Sequence, residues 1–482
     1  MNKSIVFHYL SKALLVGSAM FLIPSFVSLY YGETHTMLIF LIIGLVVGIV
    51  SVPLAVIKPK NKQMYAREGL VIVALLWVIY PLLGALPFYF SGEIPHFMDA
   101  VFESVSGFTT TGATILSNVE ALSQGMLFWR SFTHWVGGMG VLVLMIAILP
   151  SSNHAMHLMQ AECAGPQVGK IVPKGKNSAA YLYIIYAVLT LVTIVLLLLG
   201  GMPLFDSVCH AMGTAGTGGF SVKNAGIGYY NSAYIEYVLT IMMILFGVNF
   251  SLYYFILIRR FKEVFKNTEL KTYFALITIA TLLIMANIYP TYESLGKSFR
   301  YAFFQVGSIM TSTGFGTADF NVWPAFSQTI LIVLMYIGAC AGSTGGGFKV
   351  SRVIIMFKSG VKSIKKTIHP NSVNIVKSED KALDINVVHG VQTYLIIYIF
   401  LIFISLLIVS LNGADFTTNF TSVTTCINNI GPGLNRVGPT ENFGFLNDLS
   451  KLTLTVDMLL GRLECFPLLI LMSPSVWRKK NF

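Results

Sequence analysis

Thr311-Ser312-Thr313-Gly314-Phe315-Gly316 is a polar hexapeptide with two glycines, placed after a short apolar run in a very hydrophobic chain. Backbone that is not helical survives at membrane depth only where it is buried in protein or lines a watery path, because each unpaired peptide group in hydrocarbon costs several kcal/mol. The hexapeptide therefore reads as the wall of a pore. Three stretches resemble it: Thr109-Thr110-Thr111-Gly112-Ala113, Ala215-Gly216-Thr217-Gly218-Gly219 and Asn428-Asn429-Ile430-Gly431-Pro432-Gly433. Four copies imply four quarters about one axis. The competing reading, that glycines merely let apolar helices pack closely, serves any single copy better than four copies that each fall between two spans.

Such loops suit one kind of chemistry. A cation such as K⁺ sheds its water only if rings of carbonyl oxygens replace it. Carbonyls turned toward one axis need residues at positive or otherwise unusual φ, which glycine adopts without steric cost. Ser312-Thr313-Gly314-Phe315-Gly316 and Asn429-Ile430-Gly431-Pro432-Gly433 match the potassium-channel loop Thr-Val-Gly-Tyr-Gly at both glycines, whereas Thr110-Thr111-Gly112-Ala113 and Gly216-Thr217-Gly218-Gly219 keep only the first. The candidate cation-coordinating residues are thus Thr110, Thr111 and Gly112; Gly216, Thr217 and Gly218; Ser312, Thr313 and Gly314; and Asn429, Ile430 and Gly431.

Composition agrees with a membrane setting. Of 482 residues 55% are hydrophobic and 11% charged, and mean hydropathy is +0.72, far from the usual soluble range. A formal charge of +11 usually records orientation in such a chain, so no nucleic-acid partner is expected and membrane lipid is. The scattered Cys163, Cys209, Cys340, Cys426 and Cys465 form neither a disulfide framework nor a zinc site and read as small apolar fillers.

The expected fold is an all-α polytopic membrane protein. Residues 1–67 supply two leading helices, about 13–31 and 37–57, the second with a Gly44-x-x-x-Gly48 contact face, and a basic loop. Four units follow, each a span, a short pore helix, a glycine loop and a second span: residues 68–178, 179–270, 271–390 and 391–482. Their spans are expected near 69–91 and 127–150, 179–200 and 233–258, 271–290 and 326–358, and 391–412 and 448–474, making ten in all. The basic loop with Lys58, Lys60, Lys62 and Arg67 is cytoplasmic by the positive-inside rule, which puts both termini inside. Lys170, Lys174, Lys176, Arg259, Arg260, Lys262, Lys266, Lys358, Lys362, Arg478, Lys479 and Lys480 then fall on the same side. The outer loops carry Glu93, Asp99, Glu120 and Asp319, either a cation-concentrating mouth or ordinary solvated residues.

At this point the chain resembles the TrkH subunits of bacterial Trk potassium-uptake systems, in the superfamily that includes KtrB and plant HKT transporters. The resemblance spans essentially the whole chain. It rests on the four loops, on Phe128-Trp-Arg-Ser-Phe-Thr-His-Trp-Val-Gly-Gly138, on Gly338-Ala-Cys-Ala-Gly-Ser-Thr-Gly-Gly-Gly347 and on Leu459-Leu-Gly-Arg-Leu-Glu464. The two extra helices favour TrkH over KtrB. The resemblance implies K⁺ as permeant ion with no organic cofactor, a bacterial inner-membrane location, and a homodimer with one pore per subunit, gated by a cytosolic nucleotide-binding ring like TrkA. A Na⁺-coupled or Na⁺-permeable relative of KtrB and HKT is the nearest alternative.

Outside the loops, Arg462 lies within the last span, where an arginine costs ~2.5–3.5 kcal/mol on insertion scales unless it faces a cavity or a partner. Two readings stand: a pore-facing positive barrier, which the resemblance also suggests, or a salt bridge with Glu464 or another carboxylate. Gly338, Gly342, Ser343, Thr344, Gly345, Gly346 and Gly347 interrupt a span where good helix formers are needed, and read as an unwound plug, the gating loop, held by few apolar contacts. A helix kink is the alternative. A phosphate-cradling loop is disfavoured, since Phe348 stands where that motif needs lysine. Arg130 and His134 read as an interfacial anchor, and Glu103 as a brace of its neighbouring loop or a partner of Arg130. An alternating-access carrier would show broken helices in pairs, and only one break is evident, at 338–349. No hydrolase or metalloprotease motif suggests an enzyme.

Overall fold

Among the described residues, six helical stretches are long and apolar enough to cross a membrane: Lys3–Tyr30, with a turn at Phe21, then Thr34–Val56, Ala66–Phe90, Gly175–Leu199, Thr268–Tyr292 and Ile385–Ser410. These are the two leading helices and the first helix of each unit. The computed structural model describes residues 1–57, 59, 65–140, 175–371, 376–378 and 381–477. Lys58, Lys60, Lys62, Cys163, Lys170, Lys174, Arg478, Lys479, Lys480 and the expected span beyond Gly140 lie outside the described residues. Apart from one two-residue antiparallel ladder, Lys377–Ser378 with Lys381–Ala382, the described regular structure is helical, and the protein is an all-α polytopic membrane protein.

The second helix of each unit behaves differently, and this corrects the expectation of ten plain spans with one break. Ala233–Phe246 and Phe250–Leu257 meet at 90° across Gly247-Val248-Asn249, where Asn249 caps the second piece by accepting from Ser251 N at 2.9 Å. Ala325–Ile337 and Val350–Ile368 are separated by the glycine-rich segment. Asp448–Arg462 gives way to Phe466–Met472 through Glu464 and Cys465, both with positive φ. In the first unit Gln124–Gly138 ends at the Gly137-Gly138 pair. Breaks thus recur in three units, so their number does not argue against a carrier. What separates the two readings is the arrangement of the loops.

Between the two helices of every unit lies a short, amphipathic helix, exposed at its first turn and buried toward its C-terminal end: Phe97–Phe108, Leu204–Gly216, Leu295–Met310 and Phe416–Ile427. At 12 to 16 residues these are too short to cross. The leading pair packs on the first unit. A side chain at Gly44 would press on Ser18 O at 3.1 Å and Phe21 Cβ at 3.2 Å, so the expected glycine face is used against the first helix.

Candidate functional site

Each short helix closes in the same way. Thr110, Thr217, Ser312 and Asn429 take left-handed backbone, with φ of +55°, +54°, +57° and +54°. The Thr110 and Thr111 N–H groups donate back to Gly107 O (3.1 Å) and Ser106 O (2.9 Å). The other loops repeat this bond for bond: Thr217 and Gly218 to Thr214 and Gly213, Ser312 and Thr313 to Ile309 and Ser308, Asn429 and Ile430 to Cys426 and Thr425. It is the Schellman closure, with threonine, serine or asparagine where glycine is usual, a substitution that costs roughly 1–2 kcal/mol in backbone strain. Two residues further on, every loop has a glycine at positive φ: Gly112 (+79°), Gly219 (+77°), Gly314 (+82°) and Gly431 (+96°).

Those glycines close a ring. A Cβ on Gly112 would overlap the Gly218 carbonyl oxygen, one on Gly219 the Thr313 carbonyl, and one on Gly314 the Ile430 carbonyl. One on Gly431 would stand 2.8 Å from the Thr111 carbonyl. Loop one thus leans on two, two on three, three on four, and four on one, always glycine against the carbonyl of the equivalent residue. The geometry also corrects the second loop's register: its three equivalent positions are Thr217, Gly218 and Gly219, and Gly216 belongs to the helix end, packed on His134 O. The doublet Gly218-Gly219 allowed two alignments, and counting from the helix end finds the right one. Gly316, the second glycine of the third loop, gives its carbonyl to Ile227 N at 3.2 Å, so that oxygen is engaged by the second unit.

Behind the ring, polar side chains hold the loops in place. Glu103 is buried and accepts from Arg130 Nε (2.8 Å), Thr114 Oγ1 (3.0 Å) and Ile115 N (3.1 Å), so both readings of it hold together. Arg130 reaches on to Ser221 O (3.2 Å) and stacks over the Phe220 ring at 4.0 Å. His134 accepts Phe220 N–H on Nε2 (3.2 Å), which leaves Nδ1 to donate to Gly107 O (2.8 Å). Both Arg130 and His134 are buried braces between the first and second loops, not an interfacial anchor. Asn429 Nδ2 donates to Thr111 Oγ1 and Met458 O, each at 2.9 Å, tying the fourth loop to the first.

On another side of the ring lies the interrupted segment. Gly346 N donates to Ser312 Oγ, and Thr344 Oγ1 to Phe246 O (3.2 Å). Cys340 N donates to Gly247 O (3.1 Å), and Phe250 N to Gly342 O (3.0 Å). Ala341 N and Ser351 N share Glu269 Oε1, and Lys349 Nζ donates to Gly345 O. Gly338 and Gly347 pack backbone to backbone at the segment's two ends. Ser343 turns its hydroxyl onto Cys340 O at 2.7 Å, and Gly345 fits against Thr311 O. The segment is therefore tied to its surroundings by backbone and side-chain hydrogen bonds.

Arg462 donates to Thr344 O (2.8 Å), Gly138 O (2.7 Å) and Gly137 O. It meets the carbonyl end of Gln124–Gly138, where a helix dipole favours a cation. Glu464 pairs with Arg352, which stacks on Tyr394 at 4.2 Å, so the Arg462–Glu464 bridge does not form. The four outer carboxylates are engaged structurally as well: Glu93 accepts from Ser123 N and Oγ, Asp99 pairs with Lys451, Glu120 accepts from Asn224 N, and Asp319 caps Asn321 N. Burial raises the Glu93 carboxyl above its usual range, with its two Ser123 bonds opposing.

A polytopic bundle with four equivalent short helices and loops closed head to tail defines a membrane transport protein. The chain belongs to the TrkH family, described as cation transport protein, which matches residues 35–479. It is 36% identical over 96% of its length to the Trk system potassium uptake protein TrkH of Salmonella typhimurium, covering 97% of that protein. It is also 34% identical to TrkH of Halomonas elongata, with 99% of this chain and 100% of that one covered. The crystal structure of the potassium transporter TrkH from Vibrio parahaemolyticus superposes with a TM-score of 0.88 at 32% identity, over 99% of this chain and 100% of that one. The family is one of transporters, not enzymes.

Proposed function

We propose that the chain is the K⁺-uptake subunit of a bacterial inner-membrane Trk system, with a backbone-carbonyl selectivity filter at the ring of loops. One observation carries this reading: the four glycine-to-carbonyl contacts that run from loop to loop and return to the first. Carbonyls of Thr110, Thr111 and Gly112, of Thr217, Gly218 and Gly219, of Ser312, Thr313 and Gly314, and of Asn429, Ile430 and Gly431 replace the ion's water. The left-handed residue and the positive-φ glycine of each loop are what let successive carbonyls turn to one side. The printed names of the relatives, potassium uptake proteins, add the ion.

Within this reading Arg462 is a fixed positive charge on the ion's path, and the segment 338–347 is a bonded gate whose release opens it. The amphipathic, lysine-rich helix Val350–Ile368 leads from the gate to the cytoplasmic face, where a ring like TrkA pulls on it. Both termini are cytoplasmic and the subunit is a homodimer. The test is tracer flux into liposomes holding the purified protein, comparing Rb⁺, K⁺ and Na⁺. Preference for K⁺ and Rb⁺, lost in Gly314→Ser at equal reconstitution, supports the filter. Equal Na⁺ entry in the parent, or normal preference in the variant, refutes it.

A further inference from the structure

Asp457 sits in the middle of Asp448–Arg462, is 1% exposed, and has no described cation beside it. Its Oδ1 accepts from Ser405 Oγ at 2.6 Å, and its buried Oδ2 has no hydrogen-bond partner among the described residues. An ionised carboxylate so enclosed, with one hydroxyl for solvation, is far costlier than a neutral acid. The titratable groups around it give it no positive partner. Cys426 on the fourth short helix and Cys465 at the helix break are buried free cysteines and carry no positive charge. Tyr398, on the neighbouring helix Ile385–Ser410, donates to Asn428. The charged residues of the packed elements are engaged elsewhere: Asp99 with Lys451, Glu103 with Arg130, Glu464 with Arg352, and Arg462 on backbone carbonyls.

The position is as telling as the isolation. The next residue, Met458, gives its carbonyl to Asn429 Nδ2, and Asn429 is the left-handed residue of the fourth loop. One turn on, Gly461 packs directly against Ile427 O and Asn429 Oδ1. The helix that carries Asp457 is thus the back wall of the fourth loop. Resting on the filter reading above, we propose that Asp457 is a proton-binding site of the transport core whose occupancy opposes cation binding in the ring. When Asp457 loses its proton, a negative charge arises behind the fourth loop, where a bound cation compensates it. Linkage makes the effect mutual: a cation in the ring favours release of the Asp457 proton, and a proton on Asp457 weakens cation binding.

The test uses the full-length protein in detergent, with Rb⁺ as probe. Rb⁺ affinity is measured by calorimetry across pH for the parent, Asp457→Asn and Ser405→Ala, together with the infrared band of protonated carboxylic acids. The parent is expected to bind Rb⁺ more tightly as pH rises through the ionisation of Asp457, by up to about tenfold per pH unit for one linked proton. Asp457→Asn, permanently neutral and nearly isosteric, is expected to lose one protonated-carboxyl band and bind at the low-pH affinity throughout. Ser405→Ala removes the hydrogen bond that favours the anion and is expected to move the transition to higher pH. A parental pH profile in Asp457→Asn, or no band lost in that variant, overturns the proposal while leaving the filter intact. No Rb⁺ binding by the parent at any pH overturns both.

Discussion

A methyl group at Gly219 meets the Thr313 carbonyl while forcing an L side chain into φ +77°, whereas one at Gly216 meets only the His134 backbone. Gly219→Ser is therefore expected to reduce discrimination between Rb⁺ and Na⁺ by about tenfold or more, the equivalent of ~1.4 kcal/mol, with normal membrane expression. Gly216→Ser is expected to reduce folded protein instead, and a flux assay normalised to reconstituted protein distinguishes the two. Arg462 holds three carbonyls from two other units. Arg462→Ala is expected to raise flux per molecule several-fold, and Arg462→Lys to preserve most of the barrier; loss of folded protein with unchanged flux per molecule rejects the barrier. Sequence made Gly112, Gly314 and Gly431 legible because each stands two places after a polar residue with no glycine directly beside it. It could not fix the second loop, because the choice between Gly218 and Gly219 is made by hydrogen bonds to the helix end.

At the scale of elements, the short helices are held by buried polar braces as well as by apolar burial. Removing one partner of a buried pair leaves the other uncompensated, at about 3–5 kcal/mol. Glu103→Ala, which strands Arg130, is expected to lower the melting temperature of the purified protein markedly; an unchanged midpoint would show that Arg130 is satisfied without it. The segment proposed as the gate is held in part by the Gly346 N–H on Ser312 Oγ. Ser312→Ala is expected to raise basal flux without a partner protein, and deletion of Ala341–Gly345 to raise it further and flatten the response to the partner's nucleotides. No gain in either variant places the gate elsewhere. The uninterrupted helices were readable from hydropathy, whose signal is local. The break at Gly247-Val248-Asn249 was not, since the flanking residues stay apolar through it, although a glycine followed two places later by a capping asparagine is a stop-and-start signal. Asp457 was not singled out in the sequence, because its burial with one unpartnered oxygen is a property of the packing and not of the residues around it in the chain.

Taken whole, the molecule joins distant parts of one chain into a single ring, and the last seam is the Asn429–Thr111 bond between residues 318 apart. Everything that precedes the fourth unit leaves the circle open on one side. On the proposed filter reading, three units make three walls and no complete coordination site. On that reading the fourth unit, which closes the circle, also carries the Arg462 side chain that reaches Thr344. The proposed barrier and the closing seam of the proposed filter thus belong to the same quarter of the chain, so neither is present without the other.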